Sequence, residues 1–117
     1  MSKELEERFF NFAKATRDFC KQVKHDTINI VYIRQLIRSS SSIGANYLEA
    51  SDDLGRADER MKIKISRREA KESVFWLGLI LVNENDDLEK LRNILLDECS
   101  QIQKILSAIL IKLNNKV

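Results

Sequence analysis

The sequence predicts an all-α fold, and more specifically an up-down-up-down antiparallel four-helix bundle. It contains no proline and only three glycines, which leaves little of the turn chemistry that an all-β fold requires. Residues that favour helices, such as Leu, Ile, Lys, Glu and Ala, are abundant. Apolar stripes with three- and four-residue spacing alternate with short polar segments. We expect one domain over residues 1–117, because a chain of this length can bury a sufficient core without disulfides or metals.

The first helix is expected over residues 3–24, where apolar side chains follow the spacing of a bundle seam. This seam consists of Leu5, Phe9, Phe12, Thr16, Phe19 and Val23. A polar break follows, in which Asp26 or Thr27 is suited to capping the second helix. That helix is expected to reach about Asp53. Four serines at 39–42 lie within it, since apolar residues keep helical spacing on both sides, and small side chains let a neighbouring helix approach closely.

Gly55 is the clearest helix stop in the chain, because glycine accepts the left-handed conformation at no steric cost. Asp58 can cap the third helix, which is expected to extend to about Val82. Residues 83–86 then break the pattern and offer several capping oxygens. The fourth helix carries a sustained seam of Leu88, Leu91, Leu95, Cys99, Ile102, Leu106, Ile109 and Leu113. Short connections make sequential helices antiparallel neighbours.

The third helix presents more than one apolar stripe. Its expected core stripe is Ile63, Ser66, Ala70, Ser73, Val74, Leu77 and Leu81, and its second stripe is Ile65, Glu69, Glu72 and Trp76. We expect this second stripe, and Trp76 above all, to be exposed in a single chain. The fourth helix also carries apolar residues beside its seam: Ile94, Leu96, Ile105, Leu110 and Ile111. Exposed aromatic residues edged by charges are typical of protein contacts, so we predict a homo-oligomer.

A third face of the same helix is basic, with Arg60, Lys64, Arg67 and Lys71 at steps of four, three and four. The first helix has a similar stripe of Lys14, Arg17, Lys21 and Lys24. The net charge is only +2, so any binding of nucleic acid must rest on such patches. The alternative is that both stripes are solvated helix faces, supported by glutamates one turn away.

Reaction chemistry is not visible in the sequence. Glu49, Glu69 and Glu72 lie on adjacent helices, but a carboxylate-bridged dimetal site wants a Glu-x-x-His step on two helices, and His25 is the only histidine. A hard-metal site built from carboxylates alone is a third, distant option. We expect instead a polar network of these glutamates with Asn46, Ser73 and an arginine such as Arg38, which would specify a helix or subunit contact. We predict no enzyme activity, no metal and no cofactor.

Cysteine usage and chain ends suggest a cytoplasmic protein. Cys20 and Cys99 are isolated on apolar stripes, so we expect buried, reduced thiols. The first seven residues are acidic in balance and lack the apolar core of a secretory signal. The longest apolar runs, at 77–82 and 105–111, fall well short of the roughly 20 residues that span a bilayer.

Two segments carry a family resemblance: residues 39–50, SSSSIGANYLEA, and residues 68–77, REAKESVFWL. They resemble the four-helix-bundle proteins encoded in intervening sequences of bacterial 23S ribosomal RNA genes, whose relatives are accessory proteins of diversity-generating retroelements. Compared with the family pattern, Arg68 replaces Lys, Ser73 replaces Thr and Phe75 replaces Tyr. Asn46, Glu49, Glu69, Glu72 and Trp76 match it.

This resemblance implies a homopentamer with a central channel, a basic surface for RNA or DNA and, by the more distant branch, a reverse transcriptase as partner. The expected function is therefore a non-catalytic oligomeric scaffold that binds nucleic acid non-specifically. The alternative is a protein-interaction module, for example an accessory subunit of a reverse transcriptase, that does not bind nucleic acid directly.

Overall fold

A computed structural model describes residues 2–52 and 55–115 as four helices. These are α1 (Lys3–Gln22), α2 (Asn29–Ala50), α3 (Arg56–Leu79) and α4 (Asp86–Asn114). No β-strand occurs within those two ranges. The molecule measures 51 × 22 × 20 Å, which is elongated along the helices. The prediction of an all-α protein with four helices is confirmed.

Each helix packs against its chain neighbours, and α4 closes the arrangement against α1. In antiparallel neighbours the start of one helix lies beside the end of the other, and two contacts show this arrangement. Near one end of the molecule, the backbone amide of Ser2 donates to Tyr47 Oη at 3.0 Å. At the start of α3, Lys62 Nζ lies 2.5 Å from Glu49 Oε2. The contact between α2 and α3 is the most extensive.

The core follows the predicted seams closely. The other members of the first seam, Phe9, Phe12, Thr16, Phe19 and Val23, are buried as expected, and Leu5 packs partly against the core. In α4 the seam is buried except for Leu91, which is exposed, and Ile109, which is partly buried. In α3 the prediction fails at Leu81, which is exposed, and Val74 is only partly buried. Both thiols, Cys20 and Cys99, are buried and unpaired as predicted.

Small hydroxyl side chains of both helices lie at the contact between α2 and α3. Ser39 Oγ and Ser73 Oγ lie 2.8 Å apart at the contact, and Ser66 Oγ donates to the carbonyl of Ile43 at 2.8 Å. These hydroxyls are buried and satisfy one another or the facing backbone. Gly44 serves the opposite side of α2, since a Cβ there would lie 3.4 Å from the Cβ of Phe9 on α1.

The start of α4 agrees with the sequence, whereas the starts of α2 and α3 differ from the prediction. Ile28, rather than the predicted Asp26 or Thr27, occupies the N-cap position of α2, but Asp26 Oδ1 accepts from the amides of Ile28 and Asn29 and so satisfies the first turn. Asn85 caps α4 by accepting from the amide of Leu88 at 3.1 Å. Asp58 was expected to cap α3, but the helix begins at Arg56 with Gly55 before it. Asp58 instead lies in the first turn, where its charge favours the helix dipole.

Three helices end earlier than predicted, and α1 ends at Gln22 rather than at residue 24. α2 ends at Ala50 rather than near Asp53, which lies outside the described residues. α3 ends at Leu79 rather than Val82, and Ile80 is already extended, with φ −60° and ψ 132°. The reason is tertiary, because Asn29 on α2 bonds both the amide and the carbonyl of Leu81 at 2.9 Å. Within the two described ranges, none of the helices is long and apolar enough to cross a membrane.

Candidate nucleic-acid interface

The basic face of α3 lines an open depression between α3 and α4. Lys64, Arg67, Arg68 and Lys71 form one wall, and Gln103 of α4 forms the other, around a volume of about 420 Å³. Lys64, Arg67 and Lys71 are all exposed. Arg67 Nη1 lies 3.4 Å from Ser107 Oγ, so the guanidinium leans across the depression towards α4. We call this surface the α3–α4 groove.

Three of the four cations that line the α3–α4 groove lack carboxylate partners, whereas Arg68 Nε lies 3.9 Å from Glu69 Oε1. Among residues 2–52 and 55–115, none of Lys64, Arg67 and Lys71 has a carboxylate oxygen within 4.0 Å of its side-chain nitrogens. Glutamates one turn away were expected to pair with them if the stripe were merely a solvated face. No aspartate or glutamate lies three or four residues from any of these three cations, and the acidic residues beside them in the sequence, Glu69 and Glu72, bond Arg38 of α2.

The structure does not unite all eight predicted basic residues. Arg60 is half-buried and does not line the α3–α4 groove. The α1 stripe lies elsewhere, because α1 packs against α2 and α4 but not against α3. Two of its members are also engaged: Lys14 Nζ lies 5.6 Å above the ring of Phe10, and Arg17 Nε is 3.1 Å from Asp18 Oδ1. Lys21 and Lys24 are exposed.

The predicted polar network exists, and it lies between α2 and α3 of one chain. Arg38 donates to Glu69 Oε2 at 2.7 Å and to Glu72 Oε1 at 2.8 Å. Glu69 is only 4% exposed. Partial burial opposes the charge of Arg38, but the hydrogen bonds and charges of both glutamates outweigh it, so the pKa of Arg38 is raised. Arg38 thereby clamps the two helices together.

The two other polar residues predicted at a subunit contact lie apart from this network. Asn46 Nδ2 donates within α2, to the carbonyl and hydroxyl oxygens of Ser42 at 2.8 and 3.0 Å. Glu49 pairs with Lys62. Both residues are therefore satisfied within the chain, and their role in assembly stays a prediction.

Trp76 is not exposed in the way that the sequence suggested. Its ring stacks on Tyr32 of α2, with centroids 6.1 Å apart and planes inclined by 28°, and it packs partly against the core. Its Nε1 is buried without a hydrogen-bond acceptor. Ile65 is half-buried as well. The expectation of a fully exposed stripe is wrong because this stripe faces the edge of α2, which covers it.

Large apolar residues are nevertheless exposed around that edge. Phe75 and Leu79 flank Trp76 on α3, and Ile28 and Val31 flank Tyr32 on α2. Ile28, Val31 and Leu79, together with the stacked rings of Tyr32 and Trp76, form an apolar surface that we call the α2–α3 patch. On α4 only Ile94 and Ile111 of the five predicted extra apolar residues are exposed. Leu110 belongs to the core, and Leu96 and Ile105 pack partly against the core.

A second apolar surface between α1 and α2 was missed by the sequence analysis. Two adjoining depressions of about 230 and 290 Å³ run along this helix pair. Their floor is built from small residues, including Ala13, Ser41 and Ala45, and large exposed side chains border it: Phe10, Ile37 and Leu48. We call it the α1–α2 groove. The signal was present at Phe10, which stands outside the α1 seam.

Metal-ligating residues do not gather in the part of the chain that the structure describes. No group of three His, Cys, Asp or Glu side chains there could hold an ion. His25 lies in the turn before α2, as expected, with Nε2 2.9 Å from the carbonyl oxygen of Cys20. Glu49, Glu69 and Glu72 are each paired with a cation instead.

Comparison with known proteins places these observations in context. A family model described as 23S rRNA-intervening sequence protein matches residues 3–108. The fold is similar to the crystal structure of a protein with unknown function from the S23 ribosomal protein family of Bacteroides thetaiotaomicron VPI-5482. That protein is 28% identical over 90% of this chain and 96% of its own, with a TM-score of 0.77. No curated protein matches the sequence.

Proposed function

Because this chain belongs to the 23S rRNA-intervening sequence protein family, we propose that it is a non-catalytic helical scaffold that self-associates and binds nucleic acid through the α3–α4 groove. The binding would be to the sugar-phosphate backbone and independent of sequence. The observation that carries this proposal is the row of Lys64, Arg67 and Lys71, exposed and without carboxylate partners in the described chain.

The residues of the groove suit phosphate rather than base edges. Lysine and arginine neutralise phosphates and release condensed counterions, which is the main source of non-specific affinity. Gln103 and Ser107, on the opposite wall, add neutral donors of the kind that contact backbone oxygens. Backbone contacts carry no sequence information directly, so this binding would not discriminate between sequences.

Self-association has separate support from two apolar surfaces of different shape. The α1–α2 groove is concave, whereas the α2–α3 patch is built of projecting side chains. When two unlike faces of one chain meet, the contact is heterologous, and a heterologous contact closes into a ring if the rotation permits. This arrangement fits the pentamer that the family resemblance implies, and a ring would repeat the α3–α4 groove in every subunit.

A pair of matched charge reversals tests the nucleic-acid proposal. Lys64→Glu with Arg67→Glu changes the α3–α4 groove, and Lys21→Glu with Lys24→Glu makes the same change of charge on α1. We expect the first pair to abolish retention of RNA and DNA at low salt and the second to have a much smaller effect. For the wild type, three cations per chain predict a log–log salt slope of about 2 to 3 per chain.

The comparison between these variants also assigns the site. If only the α1 reversal releases nucleic acid, the predicted α1 stripe of Lys14, Arg17, Lys21 and Lys24 is the binding surface and the groove is not. If neither reversal changes retention at low salt, the nucleic-acid proposal is wrong.

The second candidate is a protein-interaction module, and the α1–α2 groove favours it. This groove is apolar and has a floor of small residues, which suits the apolar face of a helix from another polypeptide. A reverse transcriptase as that polypeptide rests on the distant branch of the family resemblance. Intact partner binding by the Lys64→Glu, Arg67→Glu variant would support this candidate.

Trp76→Glu tests the proposed assembly. A carboxylate at the centre of the α2–α3 patch should disrupt a contact that buries it, and sedimentation at micromolar concentration would then show smaller particles than for the wild type. Far-ultraviolet circular dichroism monitors the fold, since Trp76 also packs within the chain. A wild-type protein that sediments as a stable monomer contradicts the proposal directly.

A further inference from the structure

We propose that the α3–α4 groove takes single-stranded nucleic acid in particular, with a base stacked on the ring of Phe75. This inference rests on the proposed function, since it adds a base contact to the same phosphate-binding surface. Phe75 is 61% exposed. Phe75 follows Lys71 by four residues, and Lys71 follows Lys64 by seven. The three residues therefore lie on one face of α3, with Phe75 one helical turn beyond Lys71.

The exposed ring is held in place by its neighbours. Trp76 meets Phe75 edge-to-face, with centroids 5.1 Å apart and planes inclined by 76°. Trp76 is itself stacked on Tyr32 and packed against the core. Three aromatic rings from two helices therefore support one another, and the outermost presents a free face. A ring fixed in this way loses little conformational entropy when a base stacks on it.

The surface beside this ring is left empty by Gly78. This glycine lies three residues after Phe75 and seven after Lys71, so it continues the same row. A Cβ at Gly78 would meet nothing within 4 Å. Packing therefore does not require a glycine there, although glycine disfavours helix more than nearly any other residue. A flat, side-chain-free surface next to an exposed ring gives a base room to lie.

Cations followed by an aromatic platform are the combination that single strands use. Bases stack on aromatic rings with little regard to sequence, while the adjoining positive groove tracks the backbone. In a duplex the bases already stack on one another, so Phe75 would find no free face. The observations favour this occupant over another protein, because Phe75 adjoins the unpaired cations of the same helix.

Two probes with equal phosphate number separate the stacking from the phosphate contact. The first is an oligothymidylate of about 20 nucleotides, and the second is an abasic strand of the same length. The wild type should bind oligothymidylate about 5- to 100-fold more tightly than the abasic strand. An oligothymidylate–oligoadenylate duplex of the same length should show no such gain from Phe75.

Three substitutions assign the preference to the ring and its surroundings. Phe75→Leu keeps an apolar side chain without a π-face and should erase the preference, leaving affinity for the abasic strand unchanged. Phe75→Trp should retain the preference. Gly78→Gln should lower it by covering the space beside the ring, and because glutamine favours helix, a loss there cannot be ascribed to unfolding.

The outcomes distinguish this inference from the proposed function. If the wild type binds both strands equally, or Phe75→Leu keeps the preference, the stacking inference is overturned while backbone binding stands. If neither strand binds even at low salt, the proposed function fails as well. If Phe75→Leu changes only the sedimentation of the protein, Phe75 contacts another copy of the chain and the inference is likewise overturned.

Discussion

Replacing Asn29 tests the claim that one buried amide ends α3 and joins it to α2. Asn29 is 0% exposed. Its Nδ2 donates to the carbonyls of Lys24 and Leu81, and its Oδ1 accepts from the amide of Leu81, all at 2.9 Å. Asn29→Leu keeps the branched shape of the side chain but leaves these three backbone groups without their partner.

The expected cost follows from the state of those groups. An unsatisfied buried polar group costs about 1 to 3 kcal/mol, and all three groups here are partly reached by solvent, which favours the lower end of that range. The sum is about 3 kcal/mol, a large share of the about 5 to 15 kcal/mol that stabilises a typical protein. For a domain of this size the melting temperature should fall by about 10 °C or more.

Thermal unfolding followed by circular dichroism measures this effect. Asn11→Leu is the matched control, since Asn11 is exposed on α1 and should change the free energy of unfolding by less than about 0.5 kcal/mol. Asn29→Asp adds a second check, because a carboxylate oxygen would replace the donor that faces two carbonyl oxygens. It should destabilise at least as much as the leucine. If Asn29→Leu had the same melting temperature as the Asn11→Leu control, the explanation of where α3 ends would be wrong.

Three further predictions concern packing, the Arg38 clamp and the thiols. Gly44→Ala should be tolerated, since its Cβ would lie 3.4 Å from that of Phe9, whereas Gly44→Leu should lower the free energy of unfolding by about 1 to 3 kcal/mol in a urea titration. Equal effects of the two would contradict close contact between α1 and α2. Arg38→Ala should cost about 1 to 2 kcal/mol, below the range for fully buried pairs because Arg38 is half in water, and an unchanged urea midpoint would contradict the clamp. Burial raises the pKa of Cys99 to about 12 and that of Cys20 to about 11, from 9.0. The stability that both neutral thiols contribute is present below pH 9.0 and is lost as the pH rises towards 11 to 12. The wild type should therefore lose more stability above pH 9 than the Cys20→Ala, Cys99→Ala variant does, and parallel pH profiles would contradict this.

The helices and most of the core could be predicted from the sequence because both depend on local spacing. Phe9, Phe12 and Phe19 recur at helical intervals, and one buried stripe per helix follows from that pattern. Asn85 could be recognised as a cap because its role depends only on the residues next to it. The end of α3 could not, since it is determined by Asn29, 52 residues away from Leu81 in the chain.

In the candidate site, too, features that depend on local spacing could be predicted, whereas features that depend on contacts between helices could not. The row of Lys64, Arg67 and Lys71 could be read from spacing alone, since no carboxylate lies three or four residues from any of them, but the facing wall of α4 could not. The partial burial of the Trp76 ring also depends on a residue distant in the sequence, Tyr32. The small-residue floor of the α1–α2 groove needs two helices to form, so neither helix reveals it by itself.

Glu69 and Glu72 lie on the α2 side of α3, whereas the cations of the α3–α4 groove lie on another side, so charge is distributed unevenly over the surface. The net charge sums over the whole molecule and comes to only +2. A charged chromatography resin, by contrast, contacts only one side of the protein at a time, and the side that carries the α3–α4 groove dominates adsorption. We therefore expect the protein to adhere to cation exchangers more strongly than its net charge suggests, and to dock on them in one preferred orientation.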